Sequence, residues 1–378
     1  MRNKLSALKS GLAEHLFQLF GPRMDQKIVI FESDDWGMIR MASRVAYDAF
    51  LKLGYEVDAC PYNKNDGLET AHDLEIILDT LDSVRDADGK AAKFTINNIV
   101  GNPDFEAIRA SDFQQYHWEP FTKTFNRLSS GENVMALYKE GIEKGLIQPQ
   151  FHGREHIGCE RWLRALRANS KKHMLAFDYE MYTVHDKGVP GCNKDFLNAF
   201  VPENPQSETI EMRIKDGLKT FEDIWGFKSA SIIAPCYTWS PQIEPCLWES
   251  GVRLIQGGRV QLIPSVKGES FGKKYHYCGQ RNNVGQYYLI RNVHFEPVES
   301  PDTDHVDAAM RQLKIAFQHK KPAIIGSHRV NYIGSIHPEN QENNIRQLKI
   351  LLKRIVKAWP DVLFLTSDEL LKRKEFQH

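Results

Sequence analysis

Three groups of residues have the types and spacing of a hydrolytic metal site. The first is Glu32-Ser33-Asp34-Asp35-Trp36-Gly37, with two adjacent acids at the end of an apolar run. Consecutive strand residues point to opposite faces, so both carboxylates serve one site only where the strand breaks, and Gly37 permits that turn. The second is His152-Gly153-Arg154-Glu155-His156. Its HxxxH spacing sets two imidazoles on one face as a strand passes into a helical turn. With a carboxylate from elsewhere they make a three-ligand face for a divalent metal, leaving positions open for water and substrate. The HExxH pattern of the zincins is absent, because Glu155 directly precedes the second histidine. The third group is Ser327-His328-Arg329, following the apolar AIIG. Taken singly, each has a plainer reading: a solvated acidic loop or helix cap, two unconnected histidines, a structural histidine. Their order along the chain, each at the end of an apolar run, favours chemistry.

The elements that must position these groups are legible as short apolar, β-rich runs alternating with helical segments. The runs are KIVIFESDD (27–35), AKFTINNIV (92–100), QPQFHGREH (148–156), SASIIAPCY (229–237), VRLIQGG (252–258), YYLIRNVHFEP (287–297), AIIGSHRV (323–330) and VLFLTSD (362–368). Strand alternating with helix predicts an α/β fold, a distorted (β/α) barrel of about seven parallel strands. Asp34-Asp35, His152, Tyr237, Glu296, His328 and Asp368 would end strands at one mouth, where such barrels build their sites. An open doubly wound sheet would gather ligands at a single switch point instead. No Gly-rich phosphate cradle follows any strand. Residues 157–228 form a long excursion, with KHMLAFDYEMY as a candidate extra strand, and residues 260–286 read as a Gly/Asn/Tyr-rich loop. The expected organisation is an N-terminal amphipathic helix over 1–26 and one barrel domain over 27–378.

These motifs resemble those of the polysaccharide deacetylases, carbohydrate esterase family 4 with its chitooligosaccharide-deacetylase homology domain, across about residues 27–370. The resemblance implies Asp34 as general base, Asp35 as metal ligand, His152 and His156 as the other ligands, and His328 as general acid. It further implies hydrolysis of an acetyl group on a sugar, with water attacking as Asp34 takes its proton and His328 protonating the departing amine. The oxyanion is expected on the metal, with the backbone N–H of Tyr237 as a candidate second donor. Zinc is the expected metal, with Co2+, Ni2+, Fe2+ or Mn2+ as alternatives. The chain departs from the family pattern at Gly153, where the family has Ser/Thr, and at Ala234-Pro235-Cys236-Tyr237, which lacks the arginine that holds the base. Arg154, Arg259 and Arg329 are the candidates to replace it, and Glu296 is the candidate to orient His328. The fourth, Asp-containing motif has no clear counterpart. Tyr237, Trp239, Glu296, Arg154 and Trp36 are the expected substrate-binding residues, with Trp118 a further aromatic near the mouth.

The alternatives are a barrel glycosidase pairing Asp34 or Asp35 with Glu296, and a non-catalytic saccharide-binding barrel. The first leaves the three histidines unexplained. Lys+Arg and Asp+Glu both number 49, so no overall basic field exists for nucleic acid. The partner expected is a saccharide or sugar-conjugate substrate. Six scattered cysteines without a CxxC pair fit a reducing, cytoplasmic setting. No run reaches the ~18 apolar residues of a membrane span. Leu5, Leu8, Leu12, Leu16, Leu19 and Phe20 form a helical stripe, expected to pack on the body of the protein, with a membrane surface or partner as the other reading.

Overall fold

The computed structural model describes residues 14–128, 133–182, 184, 196–203, 209–265, 270–300 and 302–377. Its strands are β1 (Ile28–Trp36), β2 (Phe94–Ile99), β3 (Gly101–Pro103), β4 (Trp118–Pro120), β5 (Ile147–Gly153), β6 (Ser231–Ile233), β7 (Leu254–Gly257), β8 (Val260–Pro264), β9 (Phe271–Tyr275), β10 (Tyr287–Ile290), β11 (Val293–His294), β12 (Ala323–His328) and β13 (Leu363–Phe364). β1 and β2 are buried along their whole length, as strands are when helices cover a parallel sheet on one side and barrel side chains fill the other. The main sheet runs β10-β7-β6-β5-β2-β1-β12-β11, with β13 added beside β1, and every pairing in it is parallel.

β10 and β11 end that path on opposite sides, yet only Arg291 and Asn292 separate them in the chain. The Arg291 N–H donates to Gly257 O of β7 at 2.9 Å, and the Asn292 N–H donates to Ile324 O of β12 at 3.1 Å. The Asn292 side-chain oxygen also accepts from Ile324 N at 2.8 Å. One extended segment therefore pairs first with one edge and then with the other, and the sheet closes on itself. Closure removes the free edges of an open sheet and brings all the C-terminal strand ends to one mouth.

The helical segments that alternate with the strands include Ala71–Asp82, Val134–Glu143, Ile210–Trp225, His305–Gln318 and Pro338–Ala358. Thr70 and Asp73 form a capping box at the start of Ala71–Asp82, and Gly226, at φ 77°, ends Ile210–Trp225. Two expectations change. KHMLAFDYEMY is helical over Lys171–Asp178, with Ala176 and Phe177 buried. Part of the supposed loop 260–286 is the antiparallel β8–β9 hairpin.

At the N-terminus, Leu5, Leu8 and Leu12 lie outside the described residues. Leu16, Leu19 and Phe20 are 52%, 52% and 62% exposed. The described part of the stripe thus faces solvent, and the segment docks through other residues. Phe17 lies 4.2 Å beneath the Arg259 guanidinium, Met24 enters the core, and Lys321 donates to Pro22 O at 3.0 Å. Among the described residues no helix is long and apolar enough to cross a membrane.

Candidate metal centre

β1 delivers both acids because it breaks at the second one. Asp35 adopts φ 73°, Gly37 follows at φ 82°, and the register against β2 shifts between Ser33 and Trp36. A positive φ at a non-glycine residue is uncommon and costs energy that the surroundings must repay. Here it turns consecutive carboxylates toward one cavity. That cavity has a volume of about 320 Å³ and is lined by Asp34, Asp35, His152, His156 and His328 together.

His152 ends the regular part of β5, and His156 sits in the bend after it rather than in a helical turn. Their Nε2 atoms lie 3.3 and 3.7 Å from one oxygen of Asp35. His152 Nδ1 is 2.8 Å from the carbonyl of Ile233, which can only accept, so the proton is on Nδ1 and the Nε2 lone pair faces Asp35. Burial lowers His156 to a pKa of about 4 against the opposing pull of Asp35, which keeps it a neutral imidazole at neutral pH. One ligand atom from each residue lies within 4.8 Å of the others. A carboxylate and two imidazoles, buried and convergent, fit a divalent ion of the zinc type.

Asp34 faces a different set of partners. Arg291 grips it with two hydrogen bonds, Nη2 to Oδ1 at 2.6 Å and Nη1 to Oδ2 at 2.8 Å, and Asn97 donates to Oδ1 at 2.8 Å. Burial would raise this carboxyl, but Arg291 overrides it and keeps Asp34 below the ordinary range. Arg291 also donates to Glu32 at 2.8 Å and reaches the Tyr237 hydroxyl at 3.2 Å. It therefore occupies the role for which Arg154, Arg259 and Arg329 were candidates. Arg154 is buried against Glu155 and Asp216, with Trp118 stacked on it. Arg259 lies over Phe17, and Arg329 is sealed between Asp66 and Glu69.

His328 Nε2 is 3.6 Å from Asp34 Oδ2, and its Nδ1 is 2.7 Å from Glu296 Oε1. Burial pulls its pKa down, but Glu296 outweighs that and raises it to about 10. Asn331 donates to the other Glu296 oxygen at 2.7 Å. Both carboxylate oxygens are thus engaged, and Glu296 does not line the cavity that holds Asp34 and Asp35, a poor arrangement for a glycosidase carboxylate.

The remaining expected substrate contacts divide. Tyr237 lines the cavity, in a left-handed turn with Cys236. Its N–H, however, donates to Ala234 O at 2.9 Å, so it is not free for an oxyanion. Trp36 is buried in the core with its indole N–H on Ser33, and Trp239 is buried with its N–H on Glu244. Neither they nor Arg154 line the cavity. Asp368 belongs to the first turn of the helix Ser367–Leu371. Arg291, Arg40, Tyr62 and Asn97 went unnoticed in the sequence. The only signal for Arg291 was its place inside the run YYLIRNVHFEP, and for Arg40 its place five residues after Asp35.

No family model matches the chain, and no curated protein matches it. Among solved structures it is similar to a 4-alpha-glucanotransferase from Thermococcus litoralis, at 9% identity and TM-score 0.47, covering 93% of this chain and 41% of that one. A GH57 branching enzyme from Thermococcus kodakaraensis is similar at 12% identity and TM-score 0.45, covering 93% and 72%. A CE4 family pseudoenzyme from Bacillus anthracis is similar at 9% identity and TM-score 0.39, covering 92% and 66%. This chain spans 41% of the length of the glucanotransferase. At these identities and scores, any functional reading rests on the site itself.

Proposed function

We propose that the chain is a metal-dependent hydrolase that removes N- or O-acetyl groups from a sugar or saccharide. The observation that carries the reading is the facing pair of Asp34 and His328, 3.6 Å apart, beside the convergent Asp35, His152 and His156. Asp35, His152 and His156 would hold a divalent ion, which when bound would supply Lewis acidity for polarising a carbonyl and acidifying water. Asp34, kept ionised by Arg291, accepts the proton of the attacking water. His328, kept protonated by Glu296, gives its Nε2 proton to the leaving group. A protonated acid in this place favours amides, because an amine leaves only once protonated.

The test combines metal analysis of purified protein with acetate release from a panel of N-acetylated and O-acetylated sugars. One equivalent of a zinc-type ion, lost in Asp35→Asn, and acetate release abolished by a chelator are expected. Acetate release that persists without metal would sink the proposal.

A further inference from the structure

Asp34 and His328 each have a close charged partner at the cavity, whereas Arg40 has none within hydrogen-bond distance among the described residues. Asp34 is gripped by Arg291 at 2.6 and 2.8 Å, and His328 by Glu296 at 2.7 Å. Arg40 lines the same cavity at 6% exposure. Its nearest carboxylate oxygen, on Asp35, is 4.0 Å away, too far for a hydrogen bond. Its guanidinium carbon lies 4.9 Å from the centre of the Tyr62 ring, which steadies the cation but accepts no N–H. Its Nε is sealed from solvent with no hydrogen-bond partner among the described residues. A guanidinium offers five donors in a planar fork, and buried donors are ordinarily satisfied. A side chain so placed and so poorly bonded is built for an acceptor that arrives from outside.

The charge balance says which acceptor. A divalent ion on Asp35 would put a second cationic group beside Arg40 at that carboxylate, and the other carboxylate acting on Arg40, Asp66, is already bonded to Arg329, so a cationic excess remains. A neutral hydroxyl does nothing for that excess, whereas an anion neutralises it and matches the fork bidentately. We infer that Arg40 selects substrates carrying an anionic group, a carboxylate or a phosphate, within reach of the acetyl group to be removed. The inference rests on the proposed metal-hydrolase reading of the site.

Calorimetry separates the two. Zinc is titrated first into wild type and Asp35→Asn, and absence of zinc binding by wild type ends the metal reading alone. Methylphosphonate and acetate are then titrated into wild type, Arg40→Ala and Arg40→Lys, with and without zinc, so the comparison at Arg40 stands in either case. Wild type should bind at least one anion about tenfold or more tightly than Arg40→Ala, the scale of a lost charge-assisted hydrogen bond. Arg40→Lys should fall between, because it keeps the charge and loses the fork, and it carries the test if the alanine variant does not fold. A loss confined to methylphosphonate marks a phosphate, and one confined to acetate marks a carboxylate. On zinc-loaded protein, kcat/KM is compared for N-acetylglucosamine, its 1-phosphate and N-acetylmuramic acid. Wild type should prefer an acidic sugar, and Arg40→Ala should lose that preference. Equal anion affinity in all three proteins, or equal loss on neutral and acidic sugars, would overturn the inference.

Discussion

At the scale of single residues, the site divides its titratable groups by the partner each one has. Asp34 and His328 lie 3.6 Å apart, but Arg291 holds the first ionised and Glu296 holds the second protonated. Environments that push neighbouring pKa values apart are how one site keeps a base and an acid ready together. Asp34→Asn should retain its metal, by elemental analysis, and lose ~10²–10⁴-fold in turnover. His328→Ala should slow amide substrates severely and activated esters, whose leaving groups need no proton, much less; equal losses would remove His328 from the acid role. Because His328 is raised from its ordinary 6.5 to about 10, it stays protonated through neutral pH. Its pairing with Glu296 stabilises the fold fully below pH ~6.5, and that contribution fades as pH climbs through about 10. Glu296→Gln removes the raising charge, so the alkaline limb of the pH–rate profile should move to lower pH. An unmoved limb would mean that another group sets it.

At the scale of elements, the turns that carry Asp35, His152 and His156 matter more than the strands that lead to them. Gly153 stands where the family pattern resembled by this chain has Ser/Thr, and its backbone explains the difference. Its φ is 132°, a conformation side chains rarely adopt, and a Cβ there would come within 3.1 Å of the Glu155 carbonyl. Gly153→Ser, although it matches the pattern this chain resembles, should therefore destabilise by ~1–3 kcal/mol and weaken metal binding by shifting His152 against His156. Thermal melts and zinc titration would show this, and an unchanged Tm would mean that the bend relaxes freely. Asp35, at φ 73°, holds a comparable turn without the freedom of glycine. That two ligand-bearing turns depart from ordinary backbone fits strain kept where function needs it.

At the scale of the molecule, the seam of the barrel and the site are one structure. Tyr287–Ile290 pairs with β7, Val293–His294 pairs with β12, and the Arg291 between them grips Asp34 and Glu32. Metal binding at the proposed ligands Asp35, His152 and His156 should therefore be felt by the whole barrel, because they come from β1 and from β5 and the bend that follows it. A ligand that binds only the folded chain stabilises it by mass action, by about 2.7 kcal/mol at a hundred times its Kd. Adding zinc to metal-free protein should raise Tm, a chelator should reverse the rise, and Asp35→Asn should show neither. An Asp35→Asn variant that gains the same Tm shift would place the ion elsewhere.

The alternation of β-rich runs with helical segments, and the location of Asp34, Asp35, His152 and His328 near strand ends, could be read from periodicity alone. Those features are local: strand and helix periods, turn-forming glycines and caps are written within a few residues. The tertiary structure decided what depends on residues far apart. Arg291 stands 257 residues from Asp34, and only the closure of the sheet by its own segment brings the two together. Arg154 and Arg329 looked equally able to hold Asp34, but each is held by carboxylates of its own. Trp36 and Trp239 have the chemistry of sugar platforms, yet packing density around β1 and under β8 takes both into the interior. A sequence states which side chains carry chemistry; which of them reach one cavity depends on how the strands close around it.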